Sequence, residues 1–254
     1  MASQGTGYDL SSSTYSPDGR IFQIEYATKA VDGAGTAIGI KCKDGVLLAV
    51  EKLVSTKLLV PSAKGASLNR RIAAVDRHAG LTTAGLSADG KHLSNRARDE
   101  CLNFRDTFRQ ASPLHVLAER LSLYTQAYTL YSSVRPFGIS TILGGVDEDG
   151  PKLYLVEPSG TFWGYKACAV GKGKQLAKTE LEKLDLATLS TEDAVQKAAD
   201  IIYKVHAENK DKDFELEISW IGPKSGGVFQ PVPAEIVAEA AQKAKEALDD
   251  EMED

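Results

Sequence analysis

Residues 34–51, AGTAIGIKCKDGVLLAVE, decide how the rest of the chain is read. Thr36 to Cys42 alternates in polarity, Lys43-Asp44-Gly45 carries turn chemistry, and Val46 to Val50 is a short apolar run. The stretch therefore predicts two antiparallel strands joined by a tight turn. It also poses a chemical question, because a Gly-Thr step opens the hairpin and an acid, Glu51, closes it. Threonine dispenses with a histidine only when its own free amine serves as the base. Thirty-five residues precede Thr36, and they carry turn and helix signals of their own, so they read as part of the fold.

Upstream of the hairpin, YDLSSSTYSPDGR is a polar leader that stops at Ser-Pro-Asp-Gly, where Pro17 presets φ and Gly19 supplies freedom. In IFQIEYATKAVD, Phe22, Tyr26 and Ala30 recur every four residues, which predicts an amphipathic helix with Asp18 as its cap. Downstream, RIAAVD and HAGLTTAGL predict strands, and residues 60–69 a loop. Helices are expected from Ser87 to Phe108 and after Pro113, the second with Leu114, Leu117, Leu121, Tyr124 and Tyr128 on one face. A second β run fills 137–170. The remainder reads as a helix after Gly173, a helix from Thr191 to Lys210, the strand FELEISWIG, and a closing helix that ends in acid. Strand runs separated by helix pairs predict an α+β architecture of two stacked antiparallel sheets with helices outside. A doubly wound parallel sheet would alternate one strand with one helix, and that pattern is absent.

Composition agrees with a soluble globular chain: 254 residues, 43% hydrophobic, 26% charged and a net charge of -5. The apolar runs are too short to span a bilayer, and MASQGTGYDL lacks the features of a signal peptide, so no membrane is expected. No nucleic-acid partner is expected either, since basic and acidic residues are interspersed. Cys42, Cys101 and Cys168 form no CxxC pair and are expected to be idle thiols. His78, His92, His115 and His206 lack ligand spacing, and GKGK at 171–174 lacks the rest of a phosphate loop. Neither metal nor cofactor is expected. Asp147 and Glu148 read as solvated acids of a hairpin turn, and the terminal DDEMED as a solvated run with a weak claim on a basic partner.

The leader YDL, the run SPDGRIFQIEYA, the hairpin, and the later RPFG and EPSG together resemble the alpha-type subunits of the 20S proteasome over nearly the whole chain. SPDGRIFQIEYA is the most specific part, being similar to the signature that separates alpha-type from catalytic beta-type subunits. The resemblance implies an αββα sandwich like that of the N-terminal-nucleophile hydrolases, with two antiparallel sheets between helical layers and an extra N-terminal helix at 19–31. It implies one domain over residues 1–245, with a gating leader at 1–18, and an acidic tail at 246–254. Its implied partners are other alpha-type subunits in a heptameric ring, beta-type subunits, regulatory particles or activators, and unfolded protein substrates passing the pore. The implied location is the cytoplasm and nucleus.

Carried over by residue, the resemblance makes Tyr8, Asp9, Pro17 and Tyr26 a gating cluster, with Leu10 where the family often has arginine. Arg71 falls where an activator-pocket lysine would stand. Against the beta-type pattern, the nucleophile position falls at Gly35, one residue before Thr36, the acidic partner becomes Glu51 and the lysine becomes Arg71. The implied function is noncatalytic. The alternative is a hydrolase whose nucleophile is exposed by cleavage before Thr36.

Overall fold

A computed structural model describes residues 7–56, 58–59, 70–209 and 213–253, so the loop expected at 60–69 lies outside the described residues. The opening hairpin forms as read: β1 (Ala37–Lys41) pairs antiparallel with β2 (Val46–Leu53), Ala37 opposite Val50 and Lys41 opposite Val46. β2 also pairs with β9 (Phe214–Ile221), and β1 with β8 (Ala167–Val170). A two-residue strand, β10 (Gln230–Pro231), extends the β9 edge and was not anticipated, being too short for periodicity to mark. The second sheet runs in chain order through β3 (Ile72–Asp76), β4 (Ala79–Gly85), β5 (Ile139–Asp147), β6 (Gly150–Val156) and β7 (Phe162–Gly164).

The apolar run of β2 fails to alternate because both of its faces are covered. Val46, Leu48 and Val50 meet Ile142, Leu153 and Leu155 of the second sheet. Leu47 and Ala49 turn the other way, toward Ala198, Ile202 and Val205 of α5 (Thr191–Asn209). The two-residue period then places Glu51 on the α5 side as well. α4 (Lys174–Glu182) and α6 (Ala234–Glu253) complete that layer. α2 (Ser87–Phe108) and α3 (Leu114–Ala127) cover the second sheet, burying Leu93, Ala97, Leu114, Leu117 and Leu121 against Leu81 and Leu143. Tyr124 and Tyr128 pack on the same cluster, as the helical spacing predicted. An additional helix, α1 (Phe22–Asp32), lies against β4 and β5. The architecture is the expected αββα sandwich.

Two acids of hairpin turns do more than solvate a turn. Asp44 Oδ1 accepts the Thr191 N–H at 2.8 Å, and Asp147 Oδ2 accepts the Leu114 N–H at 3.0 Å. Each satisfies an orphan amide at the start of a helix far away in sequence. Asp147 therefore departs from the solvated role expected of it. The cap expected at Asp18 is not made either: α1 begins after Ile21 with no side-chain cap. Asp18 instead accepts the Ser16 hydroxyl at 2.5 Å, because the Ser16–Gly19 turn ends before the helix starts.

The segment RPFG owes its geometry to Asp89, which is buried near the start of α2. Its carboxylate takes both Arg135 Nη1 and Nη2, at 2.7 and 2.9 Å, and the Gly138 N–H at 3.0 Å. The Arg135 hydrogen bonds are the largest cause holding the Asp89 carboxyl below the usual carboxylate range, ahead of burial, which opposes them. The folded pKa thus lies below the unfolded one, so this stability is present above about pH 4 and is lost as pH falls through the folded value. Asp89→Asn is expected to cost about 2 kcal/mol at neutral pH and to flatten the acid limb of the stability profile. The cost is held down because the Arg135 side chain is 62% exposed. Urea unfolding of both chains between pH 3 and 7 measures it; parallel profiles would contradict the assignment.

Candidate functional site

At the head of β1 the backbone of residues 34–36 is bonded on two sides. Thr36 is fully buried, and its N–H donates to Glu51 Oε2 at 2.9 Å while its carbonyl accepts the Glu51 N–H at 2.8 Å. Glu51, also fully buried, takes His206 Nδ1 on its other oxygen at 2.7 Å. His206 lies in the last turn of α5, with its ring 4.2 Å from that of Phe214. Sequence reading did not connect His206 to this locus. The parity of β2, which sends Glu51 toward α5 with Leu47 and Ala49, is the signal that finds it.

Gly35 brings no hydroxyl, and there is no room for one. A Cβ built there would stand 2.3 Å from the Glu51 carbonyl oxygen, far inside contact distance. Thr36 has a hydroxyl, but it accepts the Gly173 N–H at 3.1 Å and its nitrogen is a peptide N–H. The loop GKGK closes the other side: Lys172 N–H donates to the Ala34 carbonyl at 2.9 Å. Its amides are thus spent on the protein itself, and the loop is the strand-to-helix turn between β8 and α4. At Gly173 a side chain would meet Val205 Cγ1 at 2.0 Å, so this approach of loop to α5 requires glycine.

Arg71 does not join this group. Its Nη2 donates to the Thr83 carbonyl at 2.8 Å, and its backbone N–H donates to Glu217 Oε2 at 3.0 Å. Burial, partly offset by the Glu217 charge, lowers its pKa. Arg71 Nε is buried with no partner among the described residues. Gly35, Thr36 and Glu51 therefore meet, and Arg71 stands apart from them.

The leader forms a second locus. Tyr26 Oη donates to Asp9 Oδ2 at 3.0 Å, and Gln23 Nε2 donates to the Asp9 carbonyl at 2.5 Å, so two α1 side chains hold one leader residue. Burial, then the Asp9 hydrogen bond, raises the Tyr26 phenol, which keeps it a donor at neutral pH. Tyr8 and Pro17, expected beside this pair, are exposed in the single chain, and Leu10 is 89% exposed. The turn at Pro17 closes with Gly19 N–H on the Ser16 carbonyl at 2.9 Å, Gly19 having φ +79°. Ser12, which the sequence did not single out, is buried and donates to the Tyr131 carbonyl at 2.8 Å.

Elsewhere the chemistry is quiet. Cys42, Cys101 and Cys168 are buried thiols pushed up to about 12, chiefly by that burial, and are inert at neutral pH. His78 bonds the Ser112 carbonyl and His92 the Tyr124 hydroxyl, each at 2.8 Å. Among the described residues no group of acids, histidines and cysteines could hold a metal, and no helix is long and apolar enough to cross a membrane.

The chain is thus an αββα sandwich whose leader is docked on an additional N-terminal helix. The family described as "Proteasome subunit" matches residues 31–221, and the family described as the N-terminal signature of the A-type proteasome subunits matches residues 8–30. The chain belongs to the proteasome subunit family and is an alpha-type member of it. It is 54% identical to the alpha type-3 proteasome subunit of Acanthamoeba castellanii, over 97% of this chain and 96% of that one. It is 52% identical to the alpha type-3 chain of Spinacia oleracea over 98% of both chains. With the probable alpha type-7 proteasome subunit of Saccharomyces cerevisiae it shares 53% identity, over 98% of this chain and 86% of the other.

Proposed function

We propose that this chain is a noncatalytic structural and gating subunit of the 20S core particle, built into the outer alpha ring through which substrates enter. In this reading it assembles with other alpha-type subunits into a heptameric ring, stacks on beta-type subunits, and offers a surface to regulatory particles. It serves ubiquitin-dependent and ubiquitin-independent protein degradation in the cytoplasm and nucleus. Exposed large apolar side chains such as Leu102, Phe108, Leu123 and Trp163 fit a chain that buries more surface on assembly.

The observation that carries the gating part is the Tyr26–Asp9 hydrogen bond, which ties the leader to α1 through two residues of the cluster. Tyr8, Asp9, Pro17 and Tyr26 act as a switch: the leader lies over the pore in one state and is captured at this cluster in the other. The exposure of Tyr8 and Pro17 leaves them available to a neighbouring subunit. Arg71 is the activator-pocket residue, and an arriving carboxylate would have to reach the Nε that lacks a partner.

Deleting residues 2–12 in the assembled particle is expected to raise the hydrolysis of short peptides severalfold, with the hydrolysis of folded proteins unchanged. A particle of wild-type composition and wild-type peptide turnover would count against this leader as part of the gate.

A further inference from the structure

We infer that Ser12 is the fixed point of the leader, so that the gate turns on the short segment before it and residues 12–20 belong to the rigid body. The inference rests on the gating reading above. It names a positioning residue and a boundary that divide the leader into two mechanical parts.

Ser12 is the most buried residue of the described leader, at 2% exposure, between Leu10 at 89% and Tyr15 at 66%. Its hydroxyl donates to the Tyr131 carbonyl at 2.8 Å, with the Val134 carbonyl at 3.3 Å as a second, weaker acceptor. That loop is itself held, because the next residue is Arg135, which grips Asp89 near the start of α2 with both Nη atoms. From Ser12 the path therefore runs through the 131–134 loop into the α2 layer. A hydroxyl facing two carbonyls has only one proton to give, and alanine there would leave the Tyr131 carbonyl with only the long 3.4 Å bond from the Val134 N–H.

Beyond Ser12 the chain is tied again at Ser16. Its hydroxyl accepts the Arg20 N–H at 3.0 Å while donating to Asp18, and its N–H donates to the Arg20 carbonyl at 2.9 Å. Before Ser12 the described ties are those of Asp9 to α1, and these involve the very residue the switch releases. Gly7, with φ +86° and open space around its Cβ position, adds no packing. Removing the Ser12 latch moves the first firm anchor from residue 12 to residue 16. Four residues of added slack amount to about 13 Å of extra reach when extended. That length is comparable to the width of a helix with its side chains, about 10–12 Å, so a gate element so loosened closes poorly.

The test uses the assembled particle carrying Ser12→Ala, the deletion of residues 2–9, both together, or the deletion of residues 2–12. Ser12→Ala is expected to raise basal peptide hydrolysis about threefold to tenfold, the range that losing one net hydrogen bond gives. In the chain lacking residues 2–9 it is expected to change nothing, since no gate element is left to position. Amide hydrogen exchange supplies a readout apart from turnover: residues 12–15 are expected to exchange faster in Ser12→Ala, with β4 unchanged. A general loss of stability would instead lower assembly in both backgrounds and speed exchange in β4, and either result overturns the assignment. If deleting residues 2–12 opens the particle but Ser12→Ala leaves peptide turnover at wild-type level, the latch is refuted and the gate stands. If neither variant changes turnover, both are refuted.

Discussion

Glu51→Leu is expected to destabilise the fold by about 3 kcal/mol, the cost of leaving a buried amide without an acceptor and breaking a charge-assisted contact. Leucine fills similar space on the α5 side of β2, so the loss reports polar satisfaction rather than a cavity. The Thr36 N–H is fully buried and would have no water to turn to, whereas His206, with its side chain 19% exposed, recovers part of its loss in solvent. Glu51→Gln keeps an acceptor for the amide and should cost about a third as much. Urea unfolding followed by the emission of Trp220, which is buried in the α5-side core, measures both variants. A leucine variant as stable as its parent would mean that the pairing of Glu51 with Thr36 and His206 contributes nothing net.

Gly35→Thr places a threonine hydroxyl at the head of β1 and is expected to gain no peptidase activity. It should cost about 3 kcal/mol, at the upper end of overpacking effects. The obstruction is the Cβ itself, 2.3 Å from the Glu51 carbonyl oxygen, so Gly35→Ala should be nearly as destabilising. Strand β2 would have to separate from the 34–36 segment to admit either residue, breaking the Thr36–Glu51 bonds on the way. Peptide hydrolysis by the purified threonine variant, above that of the wild-type chain, would overturn the reading that this position has no room for a nucleophile. Loss of soluble chain with threonine but full stability with alanine would place the clash beyond Cβ and refute the steric account.

The layer architecture was legible because each sheet announces itself twice, through turn residues at its hairpins and through the covering helices' spacing. VLLAV illustrates the limit: an apolar run signals two covered faces, but only the pairing of β2 between β1 and β9 shows what covers them. Asp44 and Asp147 looked like turn residues, and as far as backbone chemistry goes they are. Their bonds to Thr191 and Leu114 span 147 and 33 residues, a separation that no local window can report. Ser12 was hidden for the same reason, since SSST offers three serines and only the tertiary position of the 131–134 loop selects one of them. The proposal of Tyr8, Asp9, Pro17 and Tyr26 as gating residues came from resemblance. Of these, Tyr26 and Asp9 are in contact within one chain, and Tyr8 and Pro17 are exposed.

The short peptide 34–36 has a further, mechanical meaning. With Gly33 it joins α1 to β1, and it is bonded to β2 through Thr36 and to the 171–173 loop through Ala34 and Thr36. A load on α1 is therefore shared between this joint, which leads into β1 and β2, and the packing of α1 on β4 and β5, so α1 is braced at two places rather than hinged at one.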